Sequence, residues 1–141
     1  MLKTLVDFWT RFRRGSPPDL VGRNLAGIDL GGANMANADL RRAALAGTNL
    51  SGSLLEGADL READLTGAYL FGAQLRRADL RGARLRRADL DDADLRDADL
   101  RAADLAEASL RGTVLTGARV LAADLKGYTL DAAQQRAIRV E

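Results

Sequence analysis

RRADLRGARLRRADLDDADLRDADL, residues 76–100, carries a leucine at every fifth position and an alanine two residues before each one. The period runs from Leu20 to Leu130 without an insertion, and Met35 and Val120 are the only substitutes in the leucine column. An α-helix cannot use such a pattern. Five residues at about 100° each carry successive leucines about 140° round the axis, so most would face water. A continuous strand fails too, because its side chains alternate with period two and successive leucines would point to opposite faces. The pattern is coherent if the chain turns once per five residues. Each pentapeptide is then one short side of a coil, with its leucine inside.

The neighbouring columns agree. The position two before the leucine is mostly Ala, with Thr48, Ser53 and Thr113 as small substitutes. It shares a strand side with the leucine and also points inward. One large and one small side chain per side suit a narrow interior. The larger Ile28 and Tyr128 fall in this small column near its two ends. Gly is frequent two after the leucine, as at Gly47, Gly67 and Gly112, where a corner needs unusual backbone angles. Asp or Asn often precedes the leucine, where a short polar side chain hydrogen-bonds nearby turn amides. Asp recurs at 19, 39, 59, 79 and 99, and Arg at 41, 61, 81 and 101. Both columns repeat every four pentapeptides, which favours a four-sided coil.

The tandem motif, seen in ADLRE, ADLRG, ADLDD, ADLRD and ADLAE, resembles that of the pentapeptide repeat family, and the resemblance covers about residues 18–133. It implies an all-β solenoid, a right-handed four-sided (quadrilateral) β-helix of about six coils. The expected division is an amphipathic helix over 1–14, a GSPP linker at 15–18, the β-helix over 19–131 and a C-terminal capping helix over 132–141. The first helix would align Leu2, Leu5, Trp9 and Phe12 on one arc. It would cap the first coil, serve as a handle for a partner or second copy, or lie on a membrane surface. The C-terminal helix is expected to lay Ala133, Ala137 and Ile138 over the last coil.

Composition narrows the chemistry. Lys plus Arg number 21 against 20 Asp plus Glu, so no global charge points to nucleic acid. Without Cys or His there is no disulfide, thiolate or imidazole chemistry. No Walker or GxGxxG motif is present. The carboxylate-rich run at 91–99 lacks the Gly and Glu spacing of an EF-hand loop. No catalytic, cofactor or metal site is therefore expected, and the chain reads as non-enzymatic. The start of the chain does not read as a signal peptide, so a cytoplasmic location is the default expectation.

The charge swing within residues 76–100 is read by wrapping it at 20 residues per coil. Arg77 then falls near Asp97, Arg84 between Asp64 and Asp104, Arg87 near Glu107 and Asp91 near Arg111. Arg76, Arg81 and Arg86 are left as the unmatched arginines. Asp39, Asp59, Asp79 and Asp99 form a charged column with the Arg column beside it. Direct nucleic-acid binding is not favoured, since no aromatic platform accompanies the arginines. Tyr69 and Phe71 flank Leu70 on one face and are candidate contacts for a protein partner, and Leu54, Val114 and Leu121 also point outward.

These features favour an interaction scaffold with an unidentified protein partner. The family resemblance implies an alternative: some members imitate duplex DNA, bind DNA gyrase and other type II topoisomerases, protect them from quinolones or toxins, and dimerise through the C-terminal end. Such a mimic needs uncompensated negative charge. Membrane contact through residues 1–14 is the third reading.

Overall fold

The computed structural model describes residues 19–125, 128 and 130–141, so the expected helix and linker over 1–18 lie outside the described residues. From Asp19 onward the chain pairs with itself in parallel at a constant offset. Asp19 bridges Asp39, Asn24 bridges Ala44, Asp29 bridges Asn49 and Asn34 bridges Leu54, after which Asp39 bridges Asp59. Four sides therefore complete one 20-residue turn.

Residues 64–68 illustrate why five residues suffice for a side. Leu65 N–H donates to the Arg84 carbonyl (2.7 Å) and Gly67 N–H to that of Arg86 (2.8 Å), both on the following coil. Asp64 N–H donates back to Ala43 on the preceding coil (3.0 Å), and Ala68 N–H closes the corner onto Leu65 (3.0 Å). The carbonyls of Asp64 and Thr66 accept from Leu45 and Gly47 on the preceding coil, and that of Ala63 accepts from Arg84 on the following one. One amide remains, that of Thr66, and the Asp64 carboxylate takes it at 3.1 Å. The Asp or Asn before each leucine is thus the acceptor for an N–H that would otherwise lack a backbone partner. Asp19, Asn24, Asp29, Asn34, Asp39, Asn49, Asp59, Asp79, Asp89, Asp94, Asp99 and Asp104 do the same.

At the corner, the residue two after the leucine has φ between 56° and 72° at every repeat from Gly22 to Gly117. This is the third position of a type II turn, which requires positive φ. Eleven of these twenty residues are glycine and nine are not, among them Arg42, Arg87 and Ala102.

The interior is a stack of leucines separated by alanines. Leu40 through Leu95 and Ala58 through Ala98 in these columns are at most 1% exposed. Fully burying each leucine contributes about 1.5–3 kcal/mol. Thr48 and Thr113 replace alanine without leaving a hydroxyl unpaired, since each Oγ1 donates to the carbonyl of Leu25 (2.7 Å) or Leu90 (2.8 Å).

Past strand β1 (Arg119–Val120) a 3₁₀ turn spans Ala122–Leu125, helix α1 spans Ala132–Ala137, and strand β2 spans Arg139–Val140. The segment 132–141 is therefore not wholly helical. Arg139 pairs with Arg119 and Val140 with Val120, in parallel, so the 20-residue register resumes after the pentapeptide pattern stops. Asp131 caps α1 with Gln134 in a reciprocal capping box. The expected inward Ala133 is exposed, and the buried helix residue is Gln134. Its Nε2 donates to the carbonyls of Leu110 (2.7 Å) and Thr113 (3.1 Å). Carbonyls where the repeats end need donors, and an amide side chain supplies them where alanine cannot. Ile138 does pack, half-buried, against the core.

Candidate interaction surfaces

One outer face carries the Asp39–Asp59–Asp79–Asp99 column. Within each repeat the arginine two residues on folds back onto the carboxylate with two guanidinium nitrogens: Arg41 onto Asp39 (2.8 and 2.6 Å), Arg61 onto Asp59 (2.8 and 2.6 Å), Arg81 onto Asp79 (2.9 and 2.7 Å) and Arg101 onto Asp99 (2.9 and 2.6 Å). The same arginines reach toward the next carboxylate, as in Arg41–Asp59 (3.7 Å), Arg61–Asp79 (3.6 Å) and Arg81–Asp99 (3.9 Å). Glu141 closes the ladder by pairing with Arg101 and Arg119. The arginine hydrogen bonds, against the opposing effect of burial, hold the carboxyls of Asp39, Asp59 and Asp99 below the usual range. The face is charged but electrically compensated.

Of the three arginines expected to be unmatched, two are paired. Arg81 lies on Asp79 in its own repeat, and Arg86 reaches Asp104 (3.6 Å) and Glu107 (3.4 Å). Same-column stacking overlooks both, because one pair is local and the other diagonal. Arg76 is half-buried, and its Nε lacks a hydrogen-bond partner among the described residues. Its charge adds to the Arg96 hydrogen bonds that lower the Asp94 carboxyl. Arg77 pairs with Glu56 (3.8 Å) rather than Asp97, whereas Arg84–Asp64 (3.9 Å), Arg87–Glu107 (3.3 Å) and Arg111–Asp91 (2.6 Å) fall where the 20-residue wrap puts them.

A second face is different. Asn49 bridges Tyr69 and Tyr69 bridges Asp89, so these residues form one outward column. Two residues along lie Gly31, Ser51, Phe71, Asp91 and Arg111. Tyr69 and Phe71 are 55% and 51% exposed, and the small residues on the preceding coils leave them standing above the surface. Asp91 is buried beside them. It accepts from Ser109 Oγ, from Arg111 N–H (3.0 Å) and from Arg111 Nε (2.8 Å). It replaces the acceptor that Ser109 cannot provide for the Arg111 amide. These bonds, led by that from Ser109, lower its carboxyl pKa. Leu2, Leu5, Trp9 and Phe12 lie outside the described residues.

A cleft of about 480 Å³ near the C-terminal end contains Asp104, Glu107 and Asp124. The Arg86 guanidinium engages Asp104 and Glu107, and Asp124 accepts from the Ala102 amide at 2.8 Å. Among the described residues no group of three or more His, Cys, Asp or Glu is arranged to hold a metal ion, and no helix is long and apolar enough to cross a membrane.

Parallel coils, one inward leucine per side and a left-handed corner define a β-helical repeat protein. The pentapeptide-repeat model matches residues 19–57, 58–97 and 93–127, and the chain belongs to the pentapeptide repeat family. Among solved structures, the pentapeptide repeat protein alr5209 from Nostoc PCC 7120 aligns over 100% of this chain and 96% of its own at 29% identity, with a TM-score of 0.66. Rfr23, a pentapeptide repeat protein from the cyanobacterium Cyanothece 51142, aligns over 74% of this chain at 33% identity and a TM-score of 0.50, and the chain spans 65% of its length. These likenesses make the solenoid a right-handed β-helix. QnrB1, a plasmid-mediated fluoroquinolone resistance protein, aligns over 90% of this chain and 86% of its own at 15% identity and a TM-score of 0.39, too loosely to bear on function. No curated protein matches the sequence significantly.

Proposed function

We propose that the chain is a non-enzymatic scaffold, a rod of about six coils that presents a rigid outer face to a protein partner. The observation that carries this reading is the contrast between its faces. One is a closed ladder of Asp–Arg pairs, and another offers two large aromatic side chains beside carboxylates. Exposed aromatics on a rigid frame are the residues that contribute most to protein–protein contacts. The DNA-mimic alternative needs a row of uncompensated negative charge. The Asp39–Asp99 column does not favour it, because each carboxylate already holds a guanidinium.

The test is photo-crosslinking in cells, with a benzophenone side chain placed in turn at Arg41, Ala106, Phe71 and Thr116, one position on each face. Repeated capture of the same protein from one face supports the scaffold. Failure of all four positions to capture any protein reproducibly overturns it.

A further inference from the structure

Five carboxylates in the column before the leucine, Asp39, Asp59, Asp79, Asp94 and Asp99, are each gripped by the arginine two residues later. Asp89 occupies the same place in its repeat, but the residue two later is Asp91, whose carboxylate is committed to Ser109 and Arg111 on the next coil. The Asp89 Oδ1 accepts the Asp91 amide (3.0 Å), and no cation pairs with its carboxylate among the described residues. Asp92, at the adjoining corner, is exposed and likewise without an ion pair among them. Tyr69 is the direct cross-coil neighbour of Asp89, and Phe71 lies on the same side of that strand.

We propose that Tyr69, Phe71, Asp89 and Asp92 form a docking surface for an arginine-bearing segment of a partner protein. The inference rests on the scaffold reading and names the chemistry of its partner. A guanidinium on Asp89 would repeat the two-nitrogen geometry that Arg41 makes with Asp39, with its flat face against the Tyr69 ring. The chain's own Arg111 illustrates the fit on this face: its guanidinium is bound to Asp91 while the side chain remains 86% exposed. Lysine fits less well, because an ammonium cannot bridge both carboxylate oxygens in one plane or stack flat on a ring. Asp92 adds charge attraction at the edge of the patch.

The experiment uses the full chain and a fluorescein-labelled peptide with three arginines spaced by glycine and serine, read by anisotropy at low and physiological salt. The same peptide with lysines is the comparison. Saturable binding is expected, weakened roughly tenfold by Asp89→Asn and by Tyr69→Ala/Phe71→Ala, and weakened about threefold by the lysine exchange. Asp89→Asn keeps the acceptor for the Asp91 amide, as Asn24, Asn34 and Asn49 do in their own repeats, so the coil is retained. Asp97→Asn at another corner is the control and leaves binding unchanged. Absence of saturable binding, or binding equal in all variants, overturns the inference. If crosslinking then captures a protein on a different face, the scaffold reading stands without it.

Discussion

The twenty left-handed corners make a prediction about stability that depends on backbone angle rather than on contacts. An L-residue held at positive φ costs about 1–2 kcal/mol, whereas glycine there loses about 0.5–1 kcal/mol of chain freedom on folding. Ala102, with φ at 59°, has no polar side chain to offset the strain. Ala102→Gly is expected to stabilise the protein by about 0.5–1 kcal/mol. The reverse change is expected to do the reverse. Gly67 has φ at 63° and open space where a Cβ would go, so Gly67→Ala should lose about the same amount through the backbone alone. Gly112 differs, because an added Cβ would land inside contact distance of the Asp92 Oδ1. Gly112→Ala must also displace that carboxylate, and a loss of about 1–2 kcal/mol is expected. Equilibrium urea unfolding of the three variants at neutral pH measures these differences, with an unchanged m-value as the condition for comparing them. If Ala102→Gly fails to stabilise and Gly67→Ala costs nothing, the corners are not left-handed and the account of the five-residue turn falls.

Leu65→Ala, in the middle of the stack and 0% exposed, is expected to cost about 3–4 kcal/mol, and a loss under 1 kcal/mol in the same assay would contradict a tightly packed interior. Asp59→Asn keeps the acceptor for the Arg61 amide and removes only half-buried surface ion pairs, so it should cost about 1 kcal/mol or less. Asp59→Ala also removes the acceptor and should cost about 1 kcal/mol more, and equal losses would refute the role assigned to that column. The carboxyls of Asp39, Asp59, Asp94 and Asp99 sit below their ordinary value of 3.8, each chiefly through hydrogen bonds from its own arginine. A group lowered in the folded state contributes stability that is full above its unfolded value and is lost as pH falls through the folded one. Urea midpoints measured from neutral to acidic pH should therefore hold steady to about pH 5 and drop below about pH 4, and a midpoint that rises on acidification would contradict the ladder.

Much of the architecture is legible in the leucine period because one physical demand, a single inward side chain per side, repeats without interruption. The Asp column is legible for a related reason: its short side chain serves an amide two residues away, within the same pentapeptide. Pairings that leave the column are harder to read. Arg86 reaches diagonally to Glu107, and Arg81 turns back along its own strand to Asp79, while wrapping at a fixed 20 residues compares only positions directly above one another. The C-terminal end was harder still. Its pattern stops at Gln135, yet the chain regains register at Val140, held by strand pairing rather than by any repeated residue. The aromatic pair is visible as Tyr69 and Phe71 in outward columns. Their setting beside Asp89 depends on Asp91 turning to the next coil, which no local pattern announces.

The hydrogen bonds of each side are unequally directed. Leu65 and Gly67 send two N–H groups toward the C-terminal coils and Ala63 one carbonyl, while Asp64 and Thr66 send two carbonyls and one N–H the other way. Peptide dipoles opposed two against one do not cancel along the axis. The rod is therefore polar, with a rim rich in donors at the C-terminal end and one rich in acceptors at the N-terminal end. Two of the donors at that end meet acceptors: Ala102 N–H meets the Asp124 carboxylate, and Gly117 N–H the Ala137 carbonyl. Backbone pairing between bare rims would join unlike ends, which propagates head to tail rather than closing as a two-fold pair. Two copies meeting at their C-terminal ends would have to be held by side chains.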